Sequence, residues 1–237
     1  MVAAPLFSGL GFFYASPDQN DKGDAVKSAK KAKRFGASWC SVLVESVDGR
    51  TQSPERVAEC VAALRAEGID PWLYSFPRRD RIEKAIEHAE ACGVEAECMR
   101  LLWDVEPHEI DTYGDWTQAD VNRLADGARA RGFAIGWTVF TRRRWDAIRF
   151  PEGPMLLQVY ERVRDEQSLA RAMGRWTDGG REVVPAIGTY FAPDRIRSDA
   201  KNAAKHHPFA LGIWALATTS DREGATLASV AQGFAKE

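Results

Sequence analysis

Short apolar runs alternate with amphipathic stretches along the whole chain. The runs are apolar at consecutive positions, which is typical of parallel strands covered by helices. They lie at residues 7–15, 39–45, 70–76, 98–105, 133–140, 155–160, 183–190 and 209–216. Helical spacing of apolar residues follows each run, at about 24–35, 53–67, 79–92, 117–132, 143–148, 167–175, 193–206 and 223–234. The pattern therefore predicts eight strand-then-helix units.

Local signals support these boundaries. Ser53 is followed by a proline at the first helical position, and Thr117 precedes another helix as its N-cap. Both residues are typical of helix starts. Glycines at 36, 68, 93 and 132 follow helical segments, as expected of helix ends.

Eight such units in 237 residues predict one closed (β/α)8 barrel, with residues 1–237 as a single domain. A doubly wound open sheet is the alternative. It is disfavoured because no GxGxxG or Walker motif follows any of the predicted strands.

The composition limits the kinds of molecule that the chain is expected to bind. The net charge is −2, from 32 basic and 34 acidic residues, so no broad basic field is available for nucleic acid. No apolar run reaches about 18 residues, which argues against membrane insertion. The first residues lack the pattern of a signal peptide. Four scattered cysteines suit buried free thiols, and no ligand set predicts a metal or another cofactor.

The apolar run at residues 101–105 contains Asp104 and is followed by a second carboxylate, Glu106. Pro107 then ends the predicted strand. Side chains alternate along a strand, so Asp104 and Glu106 share a face, with Cα atoms about 7 Å apart. Two like charges on a buried strand are costly unless one is protonated or the pair is functional. Such a separation suits a glycoside-cleaving site.

Barrel sites lie at the carboxyl ends of the strands. The residues at those ends predict an acidic pocket lined by aromatic side chains. In such a pocket the aromatic rings stack on sugar rings, and the polar groups bind sugar hydroxyls. The predicted substrate-binding residues are Glu45, Tyr74, Trp137, Gln158, Tyr160, Tyr190 and Trp214. For each, packing in the core or at the rim, or an ion pair with a loop arginine, is the alternative.

The segment LWDVEP at 102–107 resembles the strand-four DxE motif of glycoside hydrolase family 25, a family of peptidoglycan-cleaving muramidases with a (β/α) barrel. The segments at 42–49, 72–76 and 136–141, the last followed by Trp145, are similar to its second, third and fifth strands. The resemblance implies Glu106 as general acid. It implies Asp104 as nucleophile, as stabiliser of the oxocarbenium-like centre, or as the group that orients a substrate acetamido group.

The sequence departs from the family in strand one. The family places an aspartate there, whereas this chain has Phe13 in the corresponding stretch. A chitinase-like DxxDxDxE run is also incomplete, because Met99 and Leu102 occupy its first two acidic positions. A non-catalytic glycan-binding or structural barrel is therefore the second hypothesis. An unrelated barrel enzyme, for example a phosphate-dependent one, is the third.

The first hypothesis implies a peptidoglycan-like polysaccharide as substrate, with no cofactor and no metal. The chain would act at the bacterial cell wall after release from the cytoplasm, or as part of a virion or injection machine. Targeting would then come from a partner assembly.

Overall fold

A computed structural model describes residues 6–14, 20–105, 116–140, 148–159, 166–174, 176, 181–189, 193–206 and 210–234. Within them, eight parallel strands close into one barrel in the order of the chain, and the first strand pairs with the last. The predicted (β/α)8 barrel is confirmed.

The strands are short and buried. They are β1 (Gly9–Tyr14), β2 (Ala37–Glu45), β3 (Asp70–Ser75), β4 (Arg100–Asp104), β5 (Ala134–Phe140), β6 (Met155–Gln158), β7 (Val183–Gly188) and β8 (Ala210–Trp214). The last strand ends earlier than predicted, because Leu216–Thr218 forms a turn of 3-10 helix. The Trp214–Ala215 peptide bond that leads into this turn is cis.

Helices surround the barrel. They are α1 (Ala25–Arg34), α2 (Pro54–Ala66), α3 (Ile82–Glu95), α4 (Gln118–Ala130), α5 (Glu166–Gly174), α6 (Pro193–His206) and α7 (Asp221–Phe234). Ser53 caps α2 by accepting from the Arg56 amide at 3.2 Å. Thr117 and Asp120 form a capping box at α4. The helix predicted at 143–148 falls almost entirely outside the described residues. Among those described, no helix is both long and apolar enough to cross a membrane.

Alternation along the strands separates two apolar cores. Residues on the outer faces pack against the helices. The four cysteines are buried and form no disulfide. The inner faces form a second cluster inside the barrel. Its largest members are Phe7, Phe13, Trp39, Trp72 and Tyr74.

Aromatic side chains fill the amino-terminal end of the barrel. The ring of Phe7 lies 4.6 Å from both Trp39 and Trp72, measured between centroids. The amides of Leu6 and Phe7 donate to the Glu182 carboxylate at 2.8 and 3.0 Å, which fixes this segment beneath the strands. A site inside the barrel is therefore confined to the opposite, carboxyl-terminal end.

Candidate functional site

Asp104, the last residue of β4, points into the barrel and is 1% exposed. The hydroxyl of Tyr74 on β3 donates to Asp104 Oδ2. The amide Nε2 of Gln158 on β6 donates to the same oxygen at 3.0 Å. It also donates to Thr138 Oγ1 on β5, at 3.2 Å. Four neighbouring strands thus contribute to one polar network.

The network fixes the position of Asp104. Both partners of Oδ2 are donors, and a carboxylate accepts such bonds best when it is ionised. Burial strengthens these interactions, since the surroundings screen charge less than water does. The arrangement therefore orients a buried carboxyl group, which in its ionised form can stabilise positive charge that develops on a bound molecule.

Aromatic side chains lie beside this carboxyl group. The Tyr74 ring is 5.0 Å from Phe13, 5.0 Å from Phe76 and 6.0 Å from Trp214. Trp214 is partly exposed, while Phe13 is fully buried. The partly exposed face of Trp214 is the part of this cluster that can stack on a sugar ring. The structure therefore brings together Asp104, Tyr74, Gln158 and Trp214, four of the residues predicted to form the site.

Glu45 lies at the end of β2, and its neighbours differ from those of Asp104. The register between β2 and β3 shifts between Leu43 and Glu45, so strict alternation no longer assigns its face. Its carboxylate is 4% exposed and lies 3.7 Å from the Arg81 guanidinium. Burial raises the pKa of Glu45 to about 7, although the charges of Arg81 and Arg78 lower it. The structure thus places Glu45 on the barrel rim beside the β3–α3 connection.

This raised pKa has a consequence for stability. The folded state binds the Glu45 proton more tightly than the unfolded state, so Glu45 makes folding less favourable as pH rises from about 4.5 to about 7. We expect Glu45→Gln to be more stable than the wild type by about 2 kcal/mol near pH 8, and equally stable near pH 4.5. Urea denaturation at several pH values measures this difference.

The matched control for that measurement is Glu87→Gln, on the exposed face of α3. Its stability should follow the wild-type curve within about 0.5 kcal/mol at every pH. Parallel curves for Glu45→Gln and the wild type would contradict the assignment of a proton to Glu45.

Trp137 does not join the site. It alternates with Thr138 along β5, so its side chain faces outwards and is completely buried against the helix layer. Its ring is 5.1 Å from Phe150, and its Nε1 donates to the Pro151 carbonyl at 3.0 Å. The sequence assigned Trp137 to the sugar site, whereas the structure places it in the outer core.

Three predicted residues, Glu106, Tyr160 and Tyr190, lie outside the described residues. The pairing of Asp104 and Glu106 on one face therefore stays a prediction. Among the described residues, no group of three His, Cys, Asp or Glu side chains is arranged to hold a metal ion.

Sequence reasoning missed two participants. Thr138 accepts a hydrogen bond from Gln158, and Arg81 lies 3.7 Å from Glu45. Thr138 carries a usable signal, because it is a hydroxyl residue inside an otherwise apolar strand. The register pairs it with Asp104 on the neighbouring strand. Arg81 has no comparable signal, since charged residues are common in connections after strands.

Comparisons with known proteins relate the chain to others through its fold. No protein-family model matches the sequence, and no curated protein matches it at the level of sequence. The fold is similar to the catalytic domain of a hyperthermophilic chitinase from Pyrococcus furiosus, with a TM-score of 0.63 at 10% identity, over 100% of this chain and 99% of that chain.

Two further solved structures extend the likeness. A β-mannanase of Thermomonospora fusca in complex with mannohexaose has a TM-score of 0.64 at 12% identity, over 93% of this chain and 85% of that one. A D-psicose 3-epimerase crystallised in the presence of D-fructose has a TM-score of 0.56 at 12% identity, over 92% of this chain and 89% of that one. At such identities the likeness establishes the barrel fold, which glycoside hydrolases and a sugar epimerase share.

Proposed function

We propose that the chain is a glycoside hydrolase that acts on peptidoglycan or a related N-acetylhexosamine polymer. The observation that carries the proposal is the buried Asp104, held by Tyr74 and Gln158 beside aromatic side chains at the carboxyl end of the barrel. The similarity in fold to a chitinase and a mannanase supports glycan hydrolysis. The DxE motif and its resemblance to the family 25 muramidases support the narrower substrate class.

In the proposed reaction, Glu106 protonates the glycosidic oxygen as the bond to the leaving sugar breaks. Positive charge then develops at the anomeric carbon, where the Asp104 carboxylate stabilises it. Asp104 acts as the nucleophile, as an electrostatic stabiliser, or by orienting the substrate acetamido group. Water completes the cleavage with Glu106 as base, and the anomeric configuration is retained.

The cellular setting follows from the same proposal. A chain that hydrolyses peptidoglycan would act at the bacterial cell wall after release, or as part of a virion or injection machine that delivers it. The substrate is then the insoluble wall, and a partner assembly supplies the targeting.

The test measures new reducing ends from purified bacterial walls, chitin and mannan. We expect the wild type to release them from at least the walls or chitin, and Glu106→Gln to release none, because its side chain cannot donate the proton. Glu90→Gln, a change on the outer helix α3, should keep full activity. Release by Glu106→Gln at the wild-type rate would refute the assigned acid.

A second function, glycan binding without cleavage, is favoured by one observation. Phe13 packs on Tyr74 at 5.0 Å and occupies strand one, where the muramidase motif has an acid. Saccharide binding with no release of reducing ends from any of the three polymers would support this second function.

A further inference from the structure

A cavity of about 510 Å³ lies between α1 and the beginning of α7, in the helix layer outside the barrel. Four basic side chains of α1 line it: Lys27, Lys30, Lys31 and Arg34. Their spacing of three and four residues places them on one face of the helix. From the first to the last, this basic row extends about 10 Å along the helix axis.

Two members of the basic row have no carboxylate partner within the part of the chain that the structure describes. Lys30 is exposed and forms no ion pair there. Lys31 forms none either, and its Nζ donates to the Leu216 carbonyl at 3.2 Å, which holds the ammonium group at the cavity. Two positive charges are therefore available to an anion that enters the cavity.

The other two members have carboxylate partners that they can leave. Lys27 pairs with Asp24 at 3.2 Å, where the side chains are 74% and 39% exposed. Arg34 pairs with Asp221, where they are 63% and 78% exposed. Ion pairs this open to water contribute little free energy, so both cations can turn towards an incoming anion at small cost.

Close packing of α1 on α7 fixes the walls of the cavity. A Cβ added to Gly224 would lie 2.1 Å from Phe35 Cδ1, so the Phe35 ring lies directly on the backbone of α7. At Gly36, an added Cβ would lie 3.0 Å from the Ala231 Cβ. The two helices therefore cannot move apart or together without disturbing a packed contact.

Ser220 adds a hydroxyl group on the α7 side of the cavity. Its Oγ accepts from the Glu223 amide at 3.3 Å, and its own amide donates to the Glu223 carboxylate at 2.7 Å. A hydroxyl that accepts a hydrogen bond still has its own proton to donate. Lysine ammonium groups together with a hydroxyl are groups that bind phosphate oxygens.

The distribution of charge indicates a polymer instead of a single ion. Residues 21–34 carry six basic and two acidic side chains, whereas the whole chain has a net charge of −2. A row of cations along a helix matches charges that repeat along a chain. Nucleic acid is disfavoured, because none of the described residues that line the cavity is an aromatic on which a base could stack. Asp21 and Asp221 also line it and reduce its positive charge.

We propose that the basic row of α1 binds a polyol phosphate, a polymer of phosphodiester units without bases. The ammonium groups of Lys30 and Lys31 contact one phosphate, and the Ser220 hydroxyl donates to it. Lys27 and Arg34 contact the neighbouring units. This site is separate from Asp104 and goes beyond the proposed hydrolysis, because it would hold the chain on a second polymer through contacts of its own.

The experiment measures the binding of end-labelled poly(glycerol phosphate) of about twelve units to the full chain by fluorescence anisotropy. We expect saturable binding that weakens about tenfold when the salt concentration rises from about 50 mM to about 200 mM, because phosphate contacts release counterions. Inorganic phosphate should compete only at much higher concentration, since it cannot occupy the whole row.

Matched variants on one helix identify the site. Lys30→Met and Lys31→Met should each weaken binding about fivefold. Lys33→Met removes the same charge, but Lys33 does not line the cavity, and its Nζ lies 3.9 Å from the position of a Cβ added to Gly68. It should therefore change binding by less than about twofold. Asp221→Asn should tighten binding about twofold, because it removes a carboxylate and releases Arg34.

An equal loss in Lys30→Met and Lys33→Met would overturn the site, because the attraction would then belong to the helix charge as a whole. Tighter binding of a single-stranded oligonucleotide or of polygalacturonate with the same number of charges would overturn the choice of polymer. The hydrolase proposal fails separately: a chain that cleaves no glycan would refute it and leave these binding results standing.

Discussion

Asp104→Asn should lower kcat on a cleaved polymer by about 10³-fold, which corresponds to about 4 kcal/mol of transition-state stabilisation. The amide oxygen of asparagine can still accept from Tyr74 and Gln158, so the substitution removes the charge and keeps the hydrogen bonds. The lost interaction matters most when positive charge develops on the sugar. We therefore expect KM to change by less than about threefold. Steady-state kinetics on a soluble oligosaccharide separates the two constants.

The matched control for this variant is Asp126→Asn, the same substitution on the exposed face of α4. It should leave kcat and KM unchanged. Thermal unfolding of Asp104→Asn should show a folded protein, because a buried charge has been replaced by a neutral group of the same shape. A folded variant with wild-type kcat would exclude Asp104 from the chemistry.

Gly11→Ala should destabilise the barrel by about 3 kcal/mol. Gly11 lies on the inner face of β1, opposite Trp39 in the β1–β2 register. An added Cβ would lie 1.8 Å from Trp39 Cε2. The indole has little room to yield, since it is 1% exposed and packs on Phe7. Urea denaturation gives the loss in free energy of unfolding.

Gly174→Ala provides the comparison. Gly174 ends α5, and a Cβ there would meet no heavy atom within 4 Å. The same chemical change should therefore alter stability by less than about 0.5 kcal/mol. If Gly11→Ala were equally harmless, the aromatic packing at the amino-terminal end of the barrel would have to be looser than the contacts of Trp39 indicate.

The barrel was predictable because parallel strands covered by helices are apolar at consecutive positions. Because consecutive positions are apolar, the sequence does not show which face of each strand points into the barrel. Residues 134–140 are nearly all apolar, so the sequence did not distinguish the outward Trp137 from the inward Thr138. The hydroxyl of Thr138 was the one local sign of the inner face, and its pairing with Asp104, a long-range contact, establishes the direction.

The polar network was predictable in part. Asp104 was predicted because it shares a strand face with a second carboxylate, and Gln158 because it is a polar residue at the carboxyl end of a strand. Their direct contact depends on the curvature of the sheet, which brings the ends of β4 and β6 together across β5. The position of Glu45 could not be deduced from alternation, because the register shift before it interrupts the period of two.

The distribution of tryptophans gives the molecule an optical reporter. The chain has eight tryptophans, of which Trp39, Trp72, Trp103 and Trp137 are at most 1% exposed. The fluorescence emission of these four buried indoles should lie at short wavelength and should not change when solutes are added to the solvent. Trp214 is partly exposed, and its ring is 6.0 Å from that of Tyr74, whose hydroxyl donates to Asp104. A molecule that enters the barrel mouth would replace water against this indole, so intrinsic fluorescence can follow its arrival without any label.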